Sequence, residues 1–196
     1  MMFRILLAAL AAGAMIWGVA MFVGAEEAPA QPDAPAQPAQ PVAPERATIG
    51  ELAPDFTLTD HNGNEVTLSS FKGKVIVLEW VKWDCPYVLA HLRLNTVANM
   101  RKAWADAGHD VVWLAVNSCR GTGREHNTQF AERFNIPYPI LDDAAGRVGR
   151  IYGATRTPEI YVICKDFKLR YHGAIDSDAN VTRRQPGADR GEVTPY

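Results

Sequence analysis

Basic clusters and internal repeats are both missing from this sequence. Its 196 residues include 20 Lys and Arg against 22 Asp and Glu, which gives a net charge of -2. A protein that binds nucleic acid needs Lys and Arg concentrated on one surface. No basic stripe is visible, so nucleic acid is not an expected partner. No segment repeats at a fixed period, which argues against a solenoid, and the length suits one globular domain.

Cysteine is scarce, and histidine shows no metal-binding spacing. The three cysteines, Cys85, Cys119 and Cys164, are an odd number, so at least one thiol is free or pairs outside the chain. We expect neither a metal nor another cofactor, because none of the five histidines stands at ligand spacing from a cysteine pair. These are His61, His91, His109, His126 and His172. His91 lies six residues after Cys85, in a segment expected to be helical, and is expected to face solvent.

The long apolar run lies at the N-terminus. A short positive start, 1–4, precedes the uncharged run 5–25, which ends in Gly24 and Ala25. A cleavable apolar core has about 7–15 residues, whereas a membrane-spanning helix needs about 20. Residues 1–25 are therefore predicted to be either a signal peptide or a signal anchor. Both alternatives place the rest of the chain outside the cytoplasm, periplasmic or extracytoplasmic, with membrane contact only through this segment if it is uncleaved.

Three segments follow the export signal. Residues 26–46 are rich in Pro and Ala and have few apolar side chains to bury, so they are predicted to form an extended linker. Residues 47–177 are predicted to form the folded domain. Residues 178–196 are polar and are interpreted as a loose tail.

The apolar runs of the domain predict an α/β fold. Val75–Val81 and Val111–Val116 are typical of strands buried on both faces of a sheet. One long helix is expected after Pro86, with apolar positions from Val88 to Met100 and its end at Gly108. The runs Glu159–Ile163 and Lys168–Tyr171 are expected to form a hairpin. This order predicts a parallel core with an antiparallel edge, covered by helices on both faces.

Cys85 follows the central strand and opens the expected helix. Asp84 is a good N-cap residue, and Pro86 is tolerated in a first helical turn. The free N–H groups and the positive dipole end of a helix favour thiolate, so we expect a lowered pKa and a reactive nucleophile at Cys85. The alternative is an inert buried cysteine.

Several ordered motifs resemble the thioredoxin-like superfamily. Val77–Val88 resembles its active-site strand and turn, and Thr155–Glu159 resembles the loop that carries its cis-proline. Ala53–Leu58 is similar to the opening of redoxins of the alkyl hydroperoxide reductase and thiol-specific antioxidant group. With Val116–Ser118 and Gly173–Asp176, these motifs are similar to a peroxiredoxin-like subgroup with a single active-site cysteine. The resemblance implies a thioredoxin-like three-layer α/β/α sandwich, with a mixed central sheet and an antiparallel edge hairpin.

The resemblance also implies a substrate groove beside Cys85. The Thr157–Pro158 peptide would be cis, a rare state for an X-Pro bond, and would present the Thr157 backbone next to the cysteine. Substrate contacts are expected from five residues: Pro86, Tyr87, Arg156, Thr157 and Pro158.

Three positions depart from the patterns of these families. Val88 stands where thioredoxins have the second cysteine of Cys-x-x-Cys, so dithiol exchange within the motif is excluded. Lys82 stands where peroxiredoxins have Thr or Ser, and Pro158 stands where they have Arg. Lys82 and Arg156 are either replacement cations for the substrate or solvated surface charges.

Glu79 is a lone carboxylate inside the central strand. It stands at the position of the buried acid that thioredoxins use as a proton acceptor behind the cysteine. Burial without a partner raises a carboxyl pKa, which suits proton transfer near neutral pH. The alternative is a glutamate at a strand end that reaches water.

The expected topology places Cys119 near Cys85 and Cys164 far from it. If the two apolar strands are parallel neighbours, Cys85 and Cys119 follow them at the same sheet edge. A loop movement that brings their Cα atoms within about 7 Å would make Cys119 a resolving cysteine; the alternative is a spectator thiol. Cys164 lies six residues beyond Pro158, about 20 Å away along a strand, and is expected to be structural.

Two functions are compatible with these features. The first is an extracytoplasmic thiol peroxidase or thiol-disulfide oxidoreductase, in which Cys85 attacks a peroxide or disulfide and is restored by Cys119 or an external thiol reductant. The second is a redox-inactive module that holds an extended peptide or a partner protein in the groove. A peroxidase needs a fast-reacting Cys85, whereas a binding module keeps its affinity in Cys85→Ser.

Overall fold

A seven-stranded mixed sheet forms the middle of the domain in the computed structural model, which describes residues 46–186. The strands run in the order β2-β1-β5-β4-β3-β6-β7, with β3, β4 and β5 parallel to one another. The hairpin β6-β7 forms one antiparallel edge, as predicted, and the hairpin β1-β2 forms the other. The strands are β1 Thr57–Asp60, β2 Glu65–Thr67, β3 Val75–Trp80, β4 Val111–Asn117, β5 Ile140–Asp142, β6 Glu159–Ile163 and β7 Leu169–Gly173.

Helices cover both faces of the sheet. One face carries α1, α2 and α3, and the other carries α4 with the 3-10 turn Leu68–Phe71. This is the three-layer α/β/α sandwich that the sequence predicts. The helices are α1 Pro86–Arg93, α2 Thr96–Asp106, α3 Arg124–Phe134 and α4 Arg147–Tyr152.

Strand β3 is an interior strand of the sheet, with β4 on one side and β6 on the other. Its side chains alternate between the two faces, because successive residues of a strand point in opposite directions. Ile76 and Leu78 pack into the core under α4, whereas Val77 packs into the core under α1 to α3. The unbroken apolar run therefore serves two cores at once.

The prediction of one continuous helix from Val88 to Gly108 is wrong. The structure has two helices, α1 and α2, separated at Leu94 and Asn95. Asn95 has a φ of 52°, in the left-handed region, which a continuing helix cannot accommodate and which Asn tolerates better than most residues. The apolar spacing continues across the break because both helices pack on the same core.

The expected loose tail is ordered as far as the structure describes it. A 3-10 turn at Val181–Arg183 buries Val181, and Arg184 forms an ion pair with Asp178. The turn packs against α1. These contacts hold the described part of the segment on the domain, although its composition is polar.

The predicted N-terminal segment 1–25 and nearly all of the linker 26–46 lie outside the described residues, as do residues 187–196 of the predicted tail. Within residues 46–186, no helix has the length and apolar character to cross a bilayer.

Candidate active site

Cys85 lies at the start of α1, just beyond the end of β3. The predicted N-cap, Asp84, is wrong by one residue: Cys85 itself is the N-cap, with Pro86 in the first helical position. The Asp84 carboxylate instead pairs with Lys82, whose Nζ lies 2.9 Å from Asp84 Oδ1. The Cys85 carbonyl accepts the first helical bond, from the Leu89 N–H at 3.0 Å.

The Cys85 thiol is partly exposed and faces the loop before β6. Its Sγ donates a hydrogen bond to the Thr157 carbonyl oxygen at 3.0 Å. The Thr157–Pro158 peptide is cis, as the motif predicts. The structure thus brings Cys85, Thr157 and Pro158 together in the predicted arrangement.

A groove of about 440 Å³ runs beside the cis-proline. Tyr87, Arg156, Thr157 and Pro158 line it, and the segment 174–181 forms its far wall. Four of the five predicted substrate residues therefore share one groove. The fifth, Pro86, is exposed at the start of α1 but is not among the residues that line the groove.

His91 is buried behind this groove, although the sequence predicted that it faces solvent. Its side chain is 3% exposed, and its Nδ1 lies 3.2 Å from Thr96 Oγ1 and 3.9 Å from Asp176 Oδ2. The prediction was wrong because both partners lie outside α1, in α2 and in the segment after β7. Helical position alone did not reveal them.

Glu79 is buried in β3, which excludes the alternative that it reaches water. Trp113 Nε1 donates to Glu79 Oε2 at 2.9 Å, and the Tyr138 hydroxyl lies 3.4 Å from the same oxygen. Burial raises the pKa of Glu79 to about 7, while these two hydrogen bonds act in the opposite direction. A carboxyl group of this kind can exchange a proton near neutral pH.

Glu79 and Cys85 lie on the same side of the sheet. The side chains of Val77, Glu79 and Val81 point to the same face of the sheet, because side chains alternate between the faces along a strand. Val77 and Val81 belong to the core cluster against which Cys85 packs. The carboxylate is thus beneath the layer of α1 that carries the thiol.

Cys119 lies at the same edge of the sheet as Cys85, as predicted, because β3 and β4 are parallel neighbours. It lines a second cavity, of about 230 Å³, together with Lys82, Arg156 and Thr157. Burial raises the pKa of the Cys119 thiol, with Lys82 opposing this shift. All three cysteines of the chain are free thiols in the structure.

Cys164 lies at the opposite end of the sheet. It follows β6, which runs antiparallel to β3, so that Ile163 pairs with Ile76 at the beginning of β3. Burial raises the pKa of Cys164, but hydrogen bonds from Arg170 and from the Lys168 and Asp166 backbone outweigh it and lower the pKa. Cys164 and Cys85 therefore lie at opposite ends of the sheet, as the sequence predicted.

A buried polar chain behind Cys119 was not predicted from the sequence. Trp80 Nε1 donates to Ser118 Oγ at 3.1 Å, and Ser118 Oγ donates to Asp143 Oδ2 at 2.6 Å. The Asp143 carboxylate also accepts the backbone N–H groups of Val148 and Gly149 in α4. The one available signal was an acidic residue shortly before a helix. This series of hydrogen bonds fixes the loop that leads to Cys119.

Neither Lys82 nor Arg156, the two predicted replacement cations, forms a side-chain hydrogen bond with Cys85 among the described residues. Lys82 pairs with Asp84, and no residue of 46–186 pairs with the Arg156 guanidinium, which borders both cavities. Within the same range, no group of three His, Cys, Asp or Glu side chains could hold a metal ion.

The chain is similar in sequence to a thiol-disulfide oxidoreductase and to a peroxiredoxin. The family model described as Redoxin matches residues 48–192. The thiol-disulfide oxidoreductase ResA of Geobacillus thermodenitrificans is 30% identical, over 62% of this chain and 67% of that protein. The chloroplastic peroxiredoxin Q of Sedum lineare is 27% identical, over 69% of this chain and 75% of that protein.

The fold has close counterparts among solved structures. The crystal structure of an uncharacterised conserved protein from Geobacillus kaustophilus has a TM-score of 0.60 and 28% identity, and the match covers 70% of this chain and 74% of that one. The sheet order, the cis-proline loop beside Cys85 and the family match agree. The chain belongs to the redoxin family and has the thioredoxin-like fold of that family.

Proposed function

We propose that the chain is an extracytoplasmic thiol peroxidase of the peroxiredoxin-like type, with Cys85 as its single attacking cysteine. The observation that carries the proposal is the position of the Cys85 thiol, which is partly exposed at the N-terminus of α1 beside the cis-proline loop. The N-terminus of a helix is a position at which reactive cysteines are found in thiol enzymes. The similarity to a peroxiredoxin and to a thiol-disulfide oxidoreductase supports the same chemistry.

The first step forms a sulfenic acid on Cys85. The thiolate sulfur attacks one peroxide oxygen, the O–O bond breaks, and the second oxygen leaves as water or an alcohol after it takes a proton. Glu79 is the proposed proton relay for the thiol, since its pKa of about 7 allows it to accept and release a proton at neutral pH. The sulfur is oxidised and the peroxide is reduced.

The second step restores the thiol. A thiol sulfur attacks the Cys85 sulfenic acid, a disulfide forms, and the hydroxyl group leaves as water. Val88 is buried at the position where a Cys-x-x-Cys motif would place a second thiol. The attacking thiol is therefore Cys119, from the neighbouring loop, or an external reductant, and a further thiol then reduces the disulfide.

The location outside the cytoplasm is proposed from the sequence of residues 1–25. Its positive start, uncharged apolar run and small C-terminal residues are those of an export signal, either cleaved or retained as an anchor. The extended composition of 26–46 would separate an anchor from the domain.

The test is a mass measurement on the chain after one equivalent of hydrogen peroxide, with a sulfenic-acid trap present. We expect a trapped adduct on Cys85 or a disulfide between Cys85 and Cys119. Cys85→Ser should abolish peroxide turnover, and Cys164→Ser is the matched control that should keep it. Full turnover in Cys85→Ser would refute the proposal.

A binding module remains the second candidate, on a specific observation. Exposed aromatic rings flank Cys85: Trp83 is 46% exposed and Tyr87 is 48% exposed. Trp83 lines a cavity of about 490 Å³ with Leu89 and Phe130, on the other side of α1 from the cis-proline groove. Such rings often mark a binding surface. An unmodified Cys85 after minutes with peroxide would favour this function, and a peptide ligand should then bind Cys85→Ser as tightly as the unchanged chain.

A further inference from the structure

Glu159 is a buried carboxylate directly after the cis-proline. It is the first residue of β6 and is 4% exposed. Its Oε2 accepts two backbone N–H groups of the preceding loop, from Thr155 at 2.8 Å and from Arg156 at 3.3 Å. Thr155 and Arg156 are themselves exposed, so the buried Glu159 carboxylate ties the backbone of an exposed loop to the beginning of β6.

His172 holds the other oxygen of this carboxylate. His172 Nε2 lies 2.8 Å from Glu159 Oε1, across the β6-β7 hairpin. The imidazole ring is stacked on the ring of the fully buried Tyr161, with centroids 4.3 Å apart and planes 12° apart. The stacking fixes the orientation of the donor, so the carboxylate is held from both sides.

The anchored loop leads directly to the contact at Cys85. Thr155 and Arg156 immediately precede Thr157, whose carbonyl oxygen accepts the hydrogen bond from Cys85 Sγ. While Cys85 Sγ donates to this oxygen, its S–H group is engaged and the loop lies against one side of the sulfur. The placement of this loop therefore influences how readily Cys85 reacts.

We propose that Glu159, held by His172, is a positioning residue that keeps the Thr157 carbonyl against the Cys85 thiol. The proposal rests on the proposed function only in taking Cys85 as the reacting group. Loss of the anchor frees the loop, the thiol loses its acceptor, and the reactivity of Cys85 rises.

The experiment measures alkylation of each cysteine by iodoacetamide at pH 7, with peptide mass mapping of the full chain. Glu159→Gln removes the charge and one acceptor, and His172→Phe keeps a ring on Tyr161 but removes the donor. We expect both variants to alkylate Cys85 about two- to tenfold faster, the range that corresponds to one lost hydrogen bond. His172→Gln, whose amide nitrogen can replace Nε2, should return the rate toward that of the unchanged chain.

The experiment has two controls, one cysteine within the same chain and one further variant. Cys164, at the far end of the sheet, should keep its alkylation rate in every variant. Asp106→Asn removes an exposed carboxylate that pairs with Lys102 on α2, and it should leave Cys85 unchanged. A Cys85 rate within twofold of the unchanged chain in folded variants would overturn the proposal. So would a parallel rise at Cys164, which would indicate general loosening.

The alkylation rate of Cys85 tests the positioning role of Glu159 independently of the proposed peroxidase function. If Glu159→Gln does not fold, His172→Phe decides alone, because His172 is partly exposed and its ring stacking is retained. Alkylation does not require peroxide. A Cys85 that alkylates faster in the variants, but never forms a sulfenic acid, would contradict the peroxidase function and support the positioning role.

Discussion

Replacement of Glu79 by glutamine should change how stability depends on pH. In the unfolded chain a glutamate has a pKa of about 4.3, whereas burial raises the pKa of Glu79 to about 7 in the folded chain. Between these values the folded chain holds a proton that the unfolded chain has released. The unchanged protein must therefore lose stability as pH rises through this window.

The size of the effect follows from the shift. A pKa raised to about 7 corresponds to about 3 kcal/mol of unfolding free energy, present at pH 4 and lost by pH 8. Glu79→Gln keeps a neutral side chain of the same shape, which can still accept the Trp113 N–H. We expect the variant to match the unchanged chain near pH 4 and to exceed its stability by about 3 kcal/mol at pH 8.

The assay is urea unfolding of both chains at pH 4, 5, 6, 7 and 8. Glu132→Gln, at an exposed position on α3, is the matched control, and its difference should stay within about 0.5 kcal/mol at every pH. The same Glu79→Gln variant should react more slowly with peroxide at pH 7, because the proposed proton relay is gone. A stability difference for Glu79→Gln that does not vary with pH would refute the reasoning.

Three other predictions follow from the buried and reactive positions. Iodoacetamide should label Cys164 at lower pH than Cys119, because Cys164 has a lowered pKa and Cys119 has one raised by burial; the reverse order in a pH series with mass mapping would contradict this. Val88→Cys places a thiol one helical turn after Cys85, so mild oxidation should remove two hydrogens within the single peptide that contains positions 85 and 88 and block alkylation of Cys85; the same peptide of the unchanged chain, with one cysteine, should not lose them. Leu78→Ala removes a fully buried side chain of β3 and should lower the free energy of unfolding in urea by about 2–5 kcal/mol; a loss below about 1 kcal/mol would contradict tight packing at this position.

The sequence predicted the parts of the site that depend on local pattern. Val75–Val81 is apolar at every position except Glu79, which is the signature of a strand covered on both faces, and the structure has β3 in the interior of the sheet, between β4 and β6. The placement of Cys85 at a helix start follows from proline at the next position. The cis state of Thr157–Pro158 followed from the resemblance.

The features that the sequence did not predict depend on distant partners or on one backbone angle. Asn95 ends a helix through its left-handed conformation, while the apolar spacing on both sides continues unchanged. His91 is buried because Asp176, 85 positions later in the sequence, lies near it in space. Glu159 is read as a strand residue in the sequence, and its role in holding a loop is visible only once His172 is placed beside it.

The buried valine in the first turn of α1 determines the kinetic order of the proposed cycle. In a Cys-x-x-Cys protein, an adduct on the first cysteine is expelled by the second at a rate that no other molecule changes. Val88 rules out that unimolecular exit. Unless Cys119 reaches the adduct, its lifetime is set by collision with an external thiol and is inversely proportional to the concentration of that thiol. The fraction of Cys85 that is oxidised at steady state would then report the balance of peroxide and thiol in the surrounding compartment.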